Sequence, residues 1–289
     1  MIHPNPRTPA MPAHAIPPWS PMPPPEVLAG FEIWDSYLTQ SRGAALMPSL
    51  EALMPVVERF ALQKLCFFAD VGLGTGNAAV EKWAREHSNE IEAPLRRWPD
   101  LMLGMIQLNA GDVPASMRAL DRWLRDGPMK GVYFPGSAPG GLNCTHPNFD
   151  PLVARIHELG GAIMVHTWFK TGEEAGPHGS TPADLVALAA RHPRQTFICA
   201  HAGGNWELGI QAVRGSPNIV VETSGFDATA SFIEMAAREL GAERILFGSH
   251  LPSRSLGTEL GKVLFADIGE EEKKLILGGN FRRLLGMGR

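Results

Sequence analysis

The feature that restricts the fold most is the regular alternation of short apolar runs with longer amphipathic segments along the 289 residues. The apolar runs predict strands at 31–38, 64–70, 101–110, 130–136, 162–170, 196–204, 218–225 and 244–250. Segments with helical periodicity follow them at 49–62, 76–98, 112–126, 149–160, 181–192, 206–213, 230–240 and 270–286. Nearly continuous apolar strands fit a parallel sheet that is buried on both faces. Eight strand–helix units with short connections predict an α/β fold, a (β/α)8 TIM barrel.

Two of the predicted helices carry capping signals at their start. Thr181 is the predicted N-cap of one of them, because Pro182 follows at the first helical position and Asp184 lies three residues on. Ser49 is the predicted N-cap of the first helix, although Pro55 would kink that helix or move its start.

The chain is predicted to consist of a Pro-rich extended arm, residues 1–29, and a single barrel domain, residues 30–289. Residues 1–25 contain 10 of the chain's 25 prolines, and such a tract favours an extended polyproline II conformation. Barrels of this kind need about 250 residues, so we expect no second domain. The arm either lies along the surface or contacts a neighbouring subunit or the mouth of the barrel through Trp19.

Charge and composition narrow the classes of function. The formal net charge is -4 with both signs interspersed, which argues against a nucleic-acid groove or a polybasic membrane patch. No apolar run reaches the roughly 20 residues of a membrane span, and the N-terminus lacks the pattern of a secretory signal. The cysteines lack metal-type spacing and fit reduced thiols in a cytoplasmic protein: Cys66, Cys144 and Cys199. We therefore expect a cytoplasmic protein whose partner is a small-molecule substrate.

Three predicted strands carry a histidine near their C-terminal end: His166, His201 and His250. In a TIM barrel these strand ends surround one mouth, where active sites lie. Side chains along a strand alternate between its two faces. By this alternation each histidine shares its face with apolar or small residues, among them Met164, Cys199 and Leu246. The three histidines are therefore predicted to face inward at a shared site.

Histidine supports two kinds of chemistry at such a site. Neutral imidazole binds Zn²⁺ or a similar divalent ion, and a bound ion lowers the pKa of a water molecule to about 7. Since its ordinary pKa is near 6.5, histidine is also a general acid or base without any metal. The residues alone leave both alternatives open.

Further polar side chains follow the same strand ends. Asp35 and Tyr37 are predicted to share one face of the first strand, and Glu222 and Ser224 one face of the seventh. Asn205 either contacts the substrate or caps the helix that follows it. Two cations beyond the fifth and eighth strands could bind a substrate carboxylate: Lys170 and Arg254. Each of these residues also has a plainer interpretation as a capping, solvated or ion-paired side chain.

In combination, the strand ends VHT, AHAGG, VETSG and FGSxxP and the closing LGGNFRRLLG resemble the amidohydrolase-related family (amidohydrolase 2) of the amidohydrolase superfamily. This is the branch of aminocarboxymuconate semialdehyde decarboxylase and 2-pyrone-4,6-dicarboxylate lactonase. The resemblance spans roughly residues 30–286. It implies a (β/α)8 barrel with a polar mouth. It also implies hydrolysis or non-oxidative decarboxylation of small compounds that are often carboxylated or derived from aromatics.

The chain departs from the family pattern at two places. The family's Asp-x-His-x-His on strand one corresponds to residues 35–39, Asp-Ser-Tyr-Leu-Thr, so both histidine ligands are replaced. His250 stands where the family has the strand-eight aspartate. By resemblance, His166 matches the strand-five metal ligand, and His201 matches the histidine near the metal that is often the acid or base.

Three interpretations follow from these departures. A rebuilt site would hold a divalent metal, with zinc as the predicted ion, on His166, His201, His250 and Glu222. Alternatively, the three histidines catalyse without a metal, or the barrel has lost catalysis and only binds or senses a ligand. The predicted substrate-binding residues are Arg254, Lys170, Tyr37, Asn205 and Ser224. Analogy with related barrels further suggests a homodimer.

Overall fold

The structure, a computed structural model, describes residues 25–38, 46–71, 88–135, 142–169, 179–225 and 229–288. Predictions about other residues, including most of the Pro-rich arm and Lys170, lie outside this part of the chain. The eight strands form one parallel sheet in the order β1 to β8. They are β1 (Trp34–Asp35), β2 (Lys64–Asp70), β3 (Met102–Gln107), β4 (Gly131–Phe134), β5 (Ala162–His166), β6 (Phe197–Ala200), β7 (Ile219–Glu222) and β8 (Ile245–Leu246).

A helix follows each strand in the chain. The helices are α1 (Leu46–Arg59), α2 (Ser88–Arg97), α3 (Val113–Leu120), α4 (Phe149–Glu158), α5 (Pro182–Arg191), α6 (Trp206–Val213), α7 (Phe232–Leu240) and α8 (Leu256–Leu264). A single turn precedes β1 at Pro25–Leu28, and α9 (Glu270–Lys274) and α10 (Asn280–Leu284) end the described chain. Within the described ranges, no helix is long and apolar enough to cross a membrane. The alternation confirms the TIM barrel that the sequence predicts.

The first and last strands meet and close the barrel. The Ser36 amide donates to the carbonyl of Phe247 at 3.0 Å, and the His250 amide donates to the carbonyl of Tyr37 at 2.9 Å. Leu38 and Leu251 form an isolated parallel bridge further along the same edge. The mouth formed by β1, β7 and β8 is therefore held by main-chain hydrogen bonds.

The helix-start predictions have opposite outcomes. Thr181 caps α5 as predicted: its side chain accepts from the Asp184 amide, and Asp184 bonds back to the Thr181 amide. The prediction of Ser49 as N-cap is wrong, because α1 begins at Leu46 and contains Ser49. Pro48 lies in the first turn of α1, where a helix needs no N–H donor, so the helix starts before it.

The apolar core has two layers. One cluster fills the inside of the barrel and includes Met105, Tyr133, Met164, Ile198 and Val220. The other lies between the strands and the surrounding helices and takes the alternate strand residues, such as Ile163, Val165, Phe197, Cys199 and Val221. Each strand therefore buries both faces, as the apolar runs of the sequence predict. All three cysteines are buried and unpaired.

Candidate active site

The three predicted histidines come together at the C-terminal ends of the strands. The imidazole ring centres of His166 and His201 are 5.0 Å apart, and those of His201 and His250 are 5.1 Å apart. Tyr37 lies between two of them, with its ring 4.6 Å from His201 and stacked on His250 at 5.0 Å. His201 is thus the centre of the group and touches the other members.

A backbone turn places His201 at the mouth, rather than the strand alternation that the sequence suggested. Cys199, whose face His201 was predicted to share, packs outward against the helices rather than into the barrel. A left-handed turn follows β6, and His201 itself has a φ of 63°. The turn continues through Ala202, Gly203 and Gly204, all with positive φ. The predicted position of His201 is therefore right, but strand alternation is the wrong reason for it.

Glu222 and Ser224 fix the orientation of the His201 ring. Nδ1 of His201 lies 3.0 Å from the Ser224 carbonyl oxygen and 3.3 Å from a Glu222 carboxylate oxygen. A carbonyl and a carboxylate only accept hydrogen bonds, so Nδ1 must carry the proton. In the neutral ring the lone pair is then on Nε2, which is buried and has no hydrogen-bond partner among the described residues. Nε2 can therefore take or give a proton.

The Glu222 carboxylate is fully buried and is held by three donors. It accepts from the Ser224 amide at 2.6 Å and from the His201 amide at 3.1 Å, besides the His201 ring. Burial by itself would raise the pKa of Glu222, but the hydrogen bonds and the charge of His201 outweigh burial and lower the pKa. Glu222 therefore stays ionised and can balance a positive imidazolium at His201.

Two glycines leave the space that this arrangement needs. A Cβ on Gly225 would lie 2.4 Å from Nδ1 of His201, and the φ of Gly225 is 96°. A Cβ on Gly248 would lie 2.0 Å from a carboxylate oxygen of Glu222. Side chains at these positions would displace the two groups whose contact defines the site.

Aromatic rings form much of the wall around the histidines. The Tyr37 hydroxyl is 3.0 Å from the Tyr133 hydroxyl, and Phe68 stacks on Tyr133 at 4.3 Å. Trp168 lies with its ring centre 5.9 Å from that of His201. Phe68 and Tyr133 are not among the site residues that the sequence predicts. The available signal was strand alternation, which places Phe68 on the inward face of β2 and Tyr133 on the inward face of β4.

His250 differs from His201 in its surroundings. Burial and the neighbouring His201 lower the pKa of His250 to about 4, so this ring is neutral at pH 7. Its Nδ1 is within hydrogen-bond distance of the Ser253 hydroxyl.

Asp35 supports the mouth from behind instead of lining it. Its carboxylate accepts from the amides of Tyr37 and Ser249, at 3.0 and 2.9 Å, and from the Ser249 hydroxyl. The predicted common face of Asp35 and Tyr37 is wrong, because β1 ends at Asp35 and Tyr37 joins Trp34 in the inner cluster. Asp35 therefore links β1 to the loop after β8.

Asp35→Asn is expected to change how stability depends on pH. Burial raises the pKa of Asp35 from 3.8 to about 7. Since the folded pKa is higher than the unfolded one, the folded protein binds the extra proton, and stability is lost as pH rises from about 4 through 7. The variant lacks this loss, so its free energy of unfolding relative to wild type should increase between pH 5 and pH 8. Urea unfolding at intermediate pH values measures it; parallel curves for the two proteins would refute the raised pKa.

The predicted substrate-binding residues have different surroundings. Asn205 caps α6 by accepting from the Leu208 amide at 3.2 Å, which confirms the alternative capping interpretation. Ser224 contacts His201 through its carbonyl and hydroxyl groups. Arg254 lies at the rim and donates to the Gly225 carbonyl at 3.2 Å. Contact of these residues and of Tyr37 with a substrate stays a prediction, and Lys170 lies outside the described residues.

The predicted metal ligands are four residues of this group, His166, His201, His250 and Glu222. In the part of the chain that the structure describes, no three His, Cys, Asp or Glu side chains are grouped so that they could hold a metal ion. Both Glu222 oxygens are occupied by donors, and His250 turns its ring face to Tyr37. The predicted ligand set of His166, His201, His250 and Glu222 stays a prediction.

The fold is a TIM barrel, and its histidine–carboxylate group lies at the strand ends where TIM-barrel enzymes have their active sites. Sequence comparison gives the family. The family described as Amidohydrolase matches residues 47–287, and the chain belongs to this family. Family membership indicates an enzyme and confirms the resemblance that the strand-end motifs carry. No curated protein matches the sequence.

Solved structures with the same fold include several decarboxylases. The chain is 16% identical to 2,6-dihydroxybenzoate decarboxylase from Rhizobium, with a TM-score of 0.70, over 89% of this chain and 98% of that one. Dihydroxybenzoic acid decarboxylase from Polaromonas sp., solved with bound manganese and the inhibitor 2-nitroresorcinol, is 15% identical with a TM-score of 0.70 over 90% and 98%. 5-Carboxyvanillate decarboxylase from Sphingomonas paucimobilis is 16% identical with a TM-score of 0.67 over 85% and 86%.

Proposed function

We propose that this amidohydrolase-family enzyme acts on a small carboxylated molecule at the barrel mouth, by proton transfer through Nε2 of His201. One observation carries the proposal: in the described part of the chain Nε2 is buried without a hydrogen-bond partner, while Nδ1 is held by Ser224 and Glu222. A buried imidazole with one nitrogen fixed and the other unused has the geometry of a general acid or base.

The reaction that we propose first is non-oxidative decarboxylation of a small aromatic acid. The aromatic wall around His201 suits a flat ring, and several similar solved structures are decarboxylases of aromatic acids. Protonated His201 gives the Nε2 proton to the ring carbon that bears the carboxylate. The bond from that carbon to the carboxylate then breaks, its electron pair restores the aromatic ring, and CO₂ leaves. Nε2 takes its next proton from water, and Glu222 balances the imidazolium charge throughout.

Hydrolysis of a small lactone or amide is the second candidate. The family description favours it, and the lone pair on Nε2 of neutral His201 could remove a proton from an attacking water molecule. Either reaction needs a cation that holds the substrate carboxylate. Arg254 at the rim and Lys170 are the residues that we propose for this role.

The zinc predicted from the sequence has a direct test. If the prediction is right, protein purified without chelators or a His-tag contains about one equivalent of metal, which is lost in His166→Ala and His250→Ala. Retention of that metal in His201→Ala would show that Nε2 is not a ligand and stays available for proton transfer. A metal-free protein that takes up no Zn, Mn or Fe would end the zinc prediction.

Turnover distinguishes the two reactions. Purified enzyme is incubated with hydroxybenzoates and carboxyvanillate, and separately with lactones and amides that carry a carboxylate. We expect release of CO₂ from at least one aromatic acid and incorporation of one solvent deuterium at the vacated carbon in D₂O. Hydrolysis of a lactone or amide without CO₂ release would favour the second candidate. No turnover of either set, with or without added Zn or Mn, would contradict both.

A further inference from the structure

A buried ion pair behind β7 has no part in the proton transfer described above. Glu259 and Lys262 lie three residues apart on α8 and thus on one face of the helix. Their charged atoms are 2.8 Å apart, and the side chains are only 2% and 1% exposed. Removing two charges from water costs free energy, and an apolar pair of similar volume is often as stable or more stable. Stability alone therefore does not explain why the helix carries these two residues here.

The ion pair reaches the backbone of the active site. Nζ of Lys262 donates to the carbonyl of Thr223 at 3.2 Å, in a fully buried contact. Thr223 stands between Glu222 and Ser224, the two residues that hold the His201 ring. Its amide donates to the Leu246 carbonyl at 3.1 Å. Lys262 thus donates a hydrogen bond to Thr223, the residue that connects Glu222 with Ser224 in the chain.

Three successive carbonyls at this strand end each accept from a different side chain. Thr223 accepts from Lys262, Ser224 from Nδ1 of His201, and Gly225 from Arg254. Adjacent peptide units share a Cα atom, so a rotation of one carbonyl turns its neighbours. A donor on each side therefore fixes the direction of the Ser224 carbonyl in the middle.

We propose that Lys262, held in place by Glu259, is a positioning residue of the active site. By fixing the Thr223 carbonyl it keeps the Ser224 carbonyl aimed at Nδ1 of His201, and so keeps the lone pair on Nε2. The inference rests on the proposed function, because it gives the pair its role through His201. Lys262 donates to the Thr223 carbonyl, so its effect on turnover passes through the backbone that follows β7.

Replacement of Lys262 alone would not isolate this role. Glu259 faces Lys262, Glu222 and Arg254, and burial raises its pKa to about 7 although Lys262 opposes that rise. Without the lysine, Glu259 would stay buried but lose the cation 2.8 Å from its carboxylate, and the protein could fail to fold for that reason. The informative change is the double variant Glu259→Leu/Lys262→Met, which fills the space with apolar side chains and removes the donor to Thr223.

Lys273→Met is the matched control. Nζ of Lys273 also donates to a main-chain carbonyl, that of Leu264, at 2.9 Å. This contact lies at the C-terminal end of α8, and the carbonyl it reaches belongs to no residue of the site. The control removes the same kind of lysine–carbonyl hydrogen bond without touching β7.

The test compares ring nitrogen NMR spectra of histidine-labelled full-length proteins, with the His201 signals assigned from the spectrum of His201→Ala. In wild type and Lys273→Met we expect His201 protonated at Nδ1. In the double variant we expect a mixture of tautomers and faster exchange of the Nδ1 proton. On any substrate found to be turned over, kcat should fall about 10- to 100-fold with KM unchanged.

The two failures can be told apart because the spectra need no substrate. A folded double variant whose His201 signals match wild type would overturn the positioning role and leave the proposed function intact. Changed His201 signals with no loss of kcat would instead remove His201 from catalysis, and the proposed function would fail.

Discussion

His201→Ala is expected to abolish turnover while the barrel stays folded. The variant removes Nε2, the group proposed to carry the proton, and general acid–base catalysis by one positioned side chain contributes about 10²- to 10⁴-fold to kcat. The ring contributes contacts to Tyr37 and Trp168, but it is no part of the strand ladder. Circular dichroism and thermal unfolding should therefore show a native barrel, and steady-state kinetics should show the loss in kcat.

The control for this variant is His157→Ala. His157 lies on α4, with Nδ1 3.1 Å from the Gln195 side chain, and within the described ranges no contact joins it to the three site histidines. We expect its kcat to equal that of wild type. Unchanged activity in His201→Ala would remove the catalytic assignment of His201, whatever the substrate.

Glu222→Gln is expected to have the second large effect. The amide keeps the shape of the carboxylate but places an NH₂ group among donors: the Ser224 amide, the His201 amide and Nδ1 of His201. One of these donors loses its acceptor, which costs about 1–3 kcal/mol of stability when buried. The ring also loses the anion that balances its imidazolium form, so kcat should fall about 10²- to 10⁴-fold.

The pH dependence of stability shows whether the loss of the Glu222 charge destabilises Glu222→Gln. Because the folded pKa of Glu222 is lowered, its contribution to stability is present at neutral pH and is lost as pH falls through that pKa. The stability difference between wild type and variant should therefore shrink in acid. Glu239→Gln is the control, since the ion pairs of Glu239 with Arg214 and Arg238 lie at the surface, where such pairs contribute little. Equal kcat in wild type and Glu222→Gln would contradict the role of the carboxylate.

Much of the barrel could be predicted from the sequence because its signals are local. The strand at 64–70 and the helix at 206–213 have the bounds that their apolar patterns predict. The eighth strand is predicted at 244–250 but is observed only at Ile245–Leu246. Beyond Leu246 the chain leaves the ladder, and His250 takes a left-handed φ of 56°. An apolar pattern does not indicate where a backbone turn ends the strand.

The sequence was sufficient to predict which histidines come together, but not the contacts that they make. A histidine at each of three strand ends was enough to predict that His166, His201 and His250 come together. The sequence did not reveal that a main-chain carbonyl, that of Ser224, sets the His201 tautomer. Nor did it distinguish the buried pair of Glu259 and Lys262 from a solvated pair on a helix. Both depend on which backbone atoms meet across β6, β7 and α8, and residue types alone do not encode these distances.

The tautomer of His201 in the wild-type protein is the most direct test of the proposed chemistry. Ring nitrogen NMR of histidine-labelled protein near pH 8, with His201→Ala for assignment, reports which nitrogen carries the proton. We predict a single tautomer protonated at Nδ1, with Nε2 unprotonated and its signal shifted when an aromatic acid binds. A ring protonated at Nε2 would mean that Ser224 and Glu222 do not hold Nδ1, and it would contradict the proposed role of His201.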